Sequence, residues 1–150
     1  MMEVLNRNRR QEIEDKLQER FGIKIEVPHH IIQQSKEKAR IFTGDLNVND
    51  LIRLKSLLTI DAIGLYFVSF DMQDVRLGYD ASMLYAKKAR KNVIELDDEE
   101  TKSWLRGKDI EHETKEQGFV IIRHNKDILG VARATGTRLL NFVPKERRLK

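Results

Sequence analysis

Eighteen residues, Val93 to Ile110, constrain this chain more than any other stretch. Val93-Ile94-Glu95-Leu96 reads as a short strand. Asp97 then stands as a helix N-cap, and Glu100, at the third helical position, completes a capping box in which each side chain accepts from the other's backbone N–H. Asp98 and Glu99 add negative charge at the positive end of the helix dipole. Helix initiation therefore accounts for the acidic cluster without paired catalytic carboxylates. Trp104 and Leu105 are the apolar anchors, and Gly107 ends the helix in a left-handed turn. Trp104 is the only tryptophan. Its expected role is burial, with base stacking as the alternative.

A helix delimited at both ends must pack on its neighbours, and the residues C-terminal to it read as strands. Gly118–Arg123 and Asp127–Ala132 form a hairpin with Asn125-Lys126-Asp127 at its tip. Gly130, inside the second strand, signals a bulge or a close backbone approach. Gly136 marks a turn, and Arg138–Phe142 is a closing strand. Residues 92–150 are thus expected to be a small, mostly β unit that ends in arginines.

Residues 1–91 read as a separate α+β unit. Ile13, Leu17 and Phe21 recur at four-residue spacing and predict a surface helix over 6–20, with Glu12 and Lys16 as an i, i+4 pair and Gly22 as its stop. Arg7, Arg9 and Arg10 open that helix; a solvated face explains them, and a phosphate contact is the alternative. Ile23–Val27 alternates as a strand ended by Pro28. His29 and His30 would point to opposite faces of a strand, which disfavours a shared metal, and with no cysteine in the chain no metal site is expected. Ile31-Ile32 and Lys38–Phe42 are strand candidates. Asn47 caps a helix to Leu58 whose apolar face is Leu51, Ile52, Leu54 and Leu58. Gly64–Phe70 reads as a central strand apolar on both faces. Asp71 and Asp74 turn the chain, Val75–Leu77 is a further strand, and Asp80 caps a helix to Arg90. The basic run Lys87-Lys88-Ala89-Arg90-Lys91 has two readings, a helix C-terminus suited to cations and a nucleic-acid contact.

The 150 residues include 40% hydrophobic and 35% charged side chains, enough for a core with a well-solvated surface. No apolar run approaches the roughly 20 residues of a membrane span, and no secretory signal is legible at the N-terminus. Zero cysteines exclude disulfides and thiol chemistry and fit a cytoplasmic setting. The net charge of +4 is unevenly laid out: residues 95–122 carry −5 and residues 123–150 carry +6. A positive pole beside an acidic helix would orient the molecule in the field of a polyanion.

The residues from 93 to 149 resemble PUA domains, most closely the PUA-like RNA-binding module at the C-terminal end of the Sun/Fmu family of RNA cytosine-5 methyltransferases. The acidic helix ending in Leu105-Arg106-Gly107 carries the resemblance. So do the strand Gly118-Phe119-Val120, the pair Leu129-Gly130, and the ending Asn141-Phe142-Val143-Pro144-Lys145-Glu146-Arg147-Arg148. The family's lysine before the asparagine is replaced by Leu140, with Arg138 two positions away on the same face. Gly64-Leu65-Tyr66-Phe67, then Arg76-Leu77 and a small helix, resembles the region before PUA-like domains in some rRNA-processing proteins, as in small archaeal ribosome-biogenesis proteins. The resemblance implies an α+β chain: a pre-PUA-like domain over 1–91 and a PUA-like β-barrel over 92–150.

It also implies structured RNA, rRNA or tRNA, as the partner. A separate RNA-modifying enzyme or a pre-ribosomal particle would complete the setting. Arg106, Gly107, Lys108, Arg133, Arg138, Lys145, Arg147 and Arg148 are the implied contact residues, with glycine letting backbone amides come close and cations meeting phosphate. The alternative for Arg106 and Arg133 is pairing with Glu99 or Glu100, and for residues 146–150 a solvated tail. No methyltransferase domain, glycine-rich cofactor loop or cysteine nucleophile is present, so no enzymatic activity and no cofactor are expected. The competing function is a protein-interaction adaptor within a ribonucleoprotein or RNA-modification complex, which an exposed patch of Phe42, Tyr66 and Phe70 would favour.

Overall fold

The structure is a computed structural model that describes residues 2–25, 30–70 and 74–150. Val27, Pro28, His29 and Asp71 lie outside the described residues, and with them the end of the expected Ile23–Val27 strand. Ile23 and Ile25 are buried in irregular backbone. No helix among the described residues is long and apolar enough to cross a membrane.

The first sheet is antiparallel throughout, in the order β1 (Glu3–Val4), β2 (His30–Ser35), β3 (Lys38–Phe42), β4 (Leu65–Phe70) and β5 (Val75–Leu77). Helix α1 (Arg7–Phe21) packs Ile13, Leu17 and Phe21 into the core. Asn6 caps it by accepting from Arg9 N at 3.1 Å, and Gly22 closes it in a left-handed turn (φ 66°). Glu12 is paired with Arg9 at 2.7 Å. β4 runs between β3 and β5, with Phe67 and Val68 fully buried, while β3 is the middle strand.

Two helices depart from their expected form. Helix α2 (Val48–Leu57) has its expected capping box between Asn47 and Asp50, yet Leu51 is its single buried residue. Ile52 and Leu58 stand 59% exposed, because the apolar spacing is that of a helix face but no element among the described residues covers that side. Helix α3 (Tyr79–Tyr85) is capped by the Gly78 backbone rather than by Asp80, which falls inside the first turn. It ends at Tyr85 and tightens into a 3-10 turn over Ala86–Lys88, short of Arg90.

The second sheet is a curled half-barrel. Its order is β6 (Val93–Glu95), β8 (Gly118–His124), β9 (Asp127–Ala134), β10 (Arg138–Asn141) and β7 (Ile110–Glu111). β6 pairs with β8 in parallel and the other neighbours are antiparallel. Its concave side holds Val120, Ile122, Ala132, Leu139 and Ile94, closed over by Trp104 of helix α4 (Asp98–Leu105). Its convex side presents Ile121, Ile128 and Val131 to Leu17, Phe67 and Ala81 in one hydrophobic cluster. Gly130 admits the Tyr79 ring of α3 beside β9. At φ 116° it forms the expected bulge, where Ile122 faces Gly130 but Arg123 faces Ile128, and a Cβ there would lie 3.1 Å from the Tyr79 ring.

Candidate nucleic-acid interface

The outlet of α4 is fixed from both ends. Asp97 Oδ1 accepts from Glu100 N at 2.8 Å, and Glu100 Oε1 accepts from Asp97 N at 3.1 Å. Glu100 Oε2 lies 2.7 Å from His112 Nδ1, and Asp98 Oδ1 lies 3.0 Å from His124 Nε2. At the far end Gly107 N donates to Trp104 O at 2.9 Å and Lys108 N to Ser103 O at 3.2 Å, with Gly107 at φ 85°. These two bonds are the Schellman pattern that a glycine stop makes. Trp104 is 0% exposed and donates from Nε1 to Leu129 O at 3.0 Å, so it is an anchor and presents no face to a base.

Asn141 clamps the loop that leaves the helix. Its Nδ2 donates to Trp104 O at 2.9 Å and to Lys108 O at 3.0 Å, and its Oδ1 accepts from Val143 N at 2.7 Å. Its own N–H donates to Asp109 Oδ1 at 2.8 Å. The asparagine of the terminal pattern is therefore a structural staple.

The eight expected contact residues divide into groups. Arg106, Lys108 and Lys145 are exposed, and no ion pair involves them among the described residues. Arg138 lies 3.6 Å from Asp109, and Arg147 lies 3.0 Å from Asp80 across on α3; both pairs are open to solvent, where such contacts hold weakly. Arg148 is engaged inside the molecule: its Nε donates to Val143 O at 3.0 Å, and its side chain lies where a Cβ on Gly107 would be. Gly107 thus admits the Arg148 side chain, rather than a phosphate, beside its backbone. Leu149 N donates to Leu105 O at 2.8 Å, which ties the tail to α4. Arg133 projects from the convex side of β9, its guanidinium 5.7 Å from the Phe119 ring centroid. Neither Arg106 nor Arg133 pairs with the acidic helix, since Glu99 is taken by Lys102 at 3.2 Å and Glu100 by His112.

Sequence reasoning passed over Arg20, Arg76, Phe119 and Phe142 as individual residues. Arg20 donates from Nε to Phe119 O at 2.9 Å and lies 3.5 Å from Asp74, joining α1 to β8. Asp74 Oδ2 accepts from Phe119 N at 3.2 Å, which gives this acid a structural task. Arg76 stacks over Phe142 at 4.6 Å. The available signal was the alternation of β8, which puts Phe119 on the opposite face from Val120.

Away from this face, the Arg123 guanidinium hydrogen-bonds Glu95 at 2.8 Å and, with the Asn125 backbone N–H, holds its carboxyl below the usual range. The Thr114 hydroxyl does the same for Glu116. Burial raises the Tyr85 phenol.

A half-barrel closed by one short capped helix, with cations on the loop and tail beside its outlet, fits the PUA-like class that the sequence resembles. Residues 91–149 match the family model of the methyltransferase RsmF PUA domain. The chain is also similar to ribosomal RNA small subunit methyltransferase F of Shewanella oneidensis, 27% identical over 124 residues, or 81% of this chain and 25% of that protein. The same enzyme of Aeromonas salmonicida is 27% identical over 95 residues, covering 63% of this chain and 20% of that protein. In Vibrio cholerae it is 27% identical over 90 residues, covering 59% and 19%. The chain spans about a fifth to a quarter of the length of these relatives.

Proposed function

We propose that this chain holds structured RNA, rRNA in the first instance and tRNA as the alternative, in the service of RNA modification or ribosome biogenesis in the cytoplasm. It performs no chemistry of its own; methyl transfer, where it occurs, is supplied by a separate enzyme or within a pre-ribosomal particle. The observation that carries this reading is the set Arg106, Lys108 and Lys145, exposed and without carboxylate partners among the described residues, beside a helix end that Gly107, Asn141 and Arg148 hold in place. Such cations meet phosphates, and A-form RNA is recognised through its shape, phosphates and 2′-hydroxyls.

Binding of a structured rRNA fragment and of tRNA across a salt series tests it. Each phosphate contact adds roughly 0.7–0.9 to the steepness of log affinity against log salt. The variant R106A/K108A/K145A is expected to bind more weakly with a slope shallower by about 2. Equal affinity and slope in the variant would remove this site.

A second reading, a protein-interaction adaptor, is favoured by α2, where Ile52, Leu57 and Leu58 stand 59%, 70% and 59% exposed. Phe42, Tyr66 and Phe70 are each only half-buried. An I52E/L58E variant that loses incorporation into a ribonucleoprotein while keeping its RNA affinity would favour the adaptor.

A further inference from the structure

We propose that Arg76, Phe119, Arg133 and Phe142 form a stacking site for an unpaired RNA base, separate from the phosphate-contacting cations beside α4; this rests on the RNA-binding reading above. The four residues come from both sheets. Phe119 on β8 faces Arg133 on β9, which faces Leu140 on β10, so they form one row on the convex side of the half-barrel. Phe142 follows β10, its ring centroid 6.1 Å from that of Phe119 and tilted by 54°. Arg76 reaches over from β5 of the first sheet, its guanidinium 4.6 Å from the Phe142 centroid and 5.9 Å from that of Phe119. Beside Arg76 and Phe142 opens a cleft of about 270 Å³ with Tyr66, Gly78, Tyr79 and Pro144 in its walls.

Two features point to a ligand that is flat and anionic. First, two guanidiniums converge on one pair of rings, and no ion pair with an acid serves either of them among the described residues. The acids nearby are committed: Asp74 binds Phe119 N and Arg20, and Asp80 binds Arg147. Like charges so placed are relieved by a phosphate. Secondly, the cluster presents the Phe142 ring, 37% exposed, and the Arg133 side chain to solvent, at the open end of a stack that Arg76 and Phe142 already begin. Unpaired bases stack on such surfaces, whereas a base inside a duplex cannot reach them. Stacking at this cluster requires an exposed base, so the site selects unpaired over paired RNA. Trp104 cannot serve in their place, being fully buried.

The test uses the full chain with two RNAs of equal length: a hairpin carrying one unpaired 2-aminopurine in its loop, and a fully paired duplex. The hairpin is expected to bind roughly ten-fold more tightly, with 2-aminopurine fluorescence changing on binding. Phe142→Leu and Arg76→Gln should each abolish the preference and the fluorescence change while the salt slope falls by no more than about one contact. R106A/K108A/K145A should weaken both RNAs alike and keep the preference. If the wild type shows no preference, or both single variants retain it with unchanged fluorescence, the stacking site is wrong while the RNA-binding reading stands. If neither RNA binds at any salt, the RNA-binding reading falls and the site with it.

Discussion

Asn141 illustrates how much one side chain determines here. Its carboxamide satisfies Trp104 O, Lys108 O and Val143 N together. Asn141→Ala leaves these groups to find other partners, and we expect a loss of roughly 1–3 kcal/mol in thermal or urea unfolding. Gly107→Ala adds a Cβ at φ 85° and displaces Arg148, so it should cost about 1–3 kcal/mol and weaken RNA binding as well. Burial of Trp104 and the left-handed turn at Gly107 were legible in the sequence, since both follow from local composition. The inward task of Arg148 was not. An arginine's partner is decided by which carbonyl the fold brings near, here that of Val143, and a basic tail looks the same whether it faces solvent or a glycine.

The capping boxes show which elements announce themselves. Asn47/Asp50 and Asp97/Glu100 both form as their spacing requires, because every contact involved lies within four residues. Asp97→Ala should cost about 1 kcal/mol, read as a lowered melting temperature with little change in RNA affinity at neutral pH. The exposure of α2 is illegible for the opposite reason: spacing defines a helix face, but whether anything covers it depends on distant strands. The hairpin of β8 and β9 has its own pH signature. Glu95, beside β8, has its carboxyl held below the usual range by Arg123. A lowered folded-state pKa means its contribution to stability is complete above the ordinary carboxylate range and is lost as pH falls through the lowered value. Glu95→Gln should therefore flatten the acid limb of the stability profile, measured by urea unfolding between about pH 5 and pH 2.

Across the whole molecule, the convex side of the half-barrel shares a core with the first sheet, through Ile121, Ile128 and Val131 against Leu17, Phe67 and Ala81. We expect a single cooperative unfolding transition seen alike by Trp104 fluorescence and by far-ultraviolet circular dichroism. Two separated transitions would instead show that residues 1–91 and 92–150 unfold independently. The strand-and-helix pattern of each half was readable because each obeys its own periodicity. The contact between them was not, because a residue such as Ile121 looks equally suited to either face of its sheet. The Arg76–Phe142 pair lies on that seam, which is why neither half's pattern disclosed it.

The tie between the tail and α4 has a practical meaning. Leu149 N donates to Leu105 O and Arg148 lies across Gly107, so the tail adds a fastening to the last turn of α4 beside its own glycine stop and the Asn141 clamp. A truncation before Arg148 would remove this fastening of the loop bearing Arg106 and Lys108 and leave the Asn141 clamp as the other. Such a truncation is expected to loosen that loop while the half-barrel core stays folded, read as faster amide exchange at Arg106 and Lys108 with an unchanged Trp104 environment.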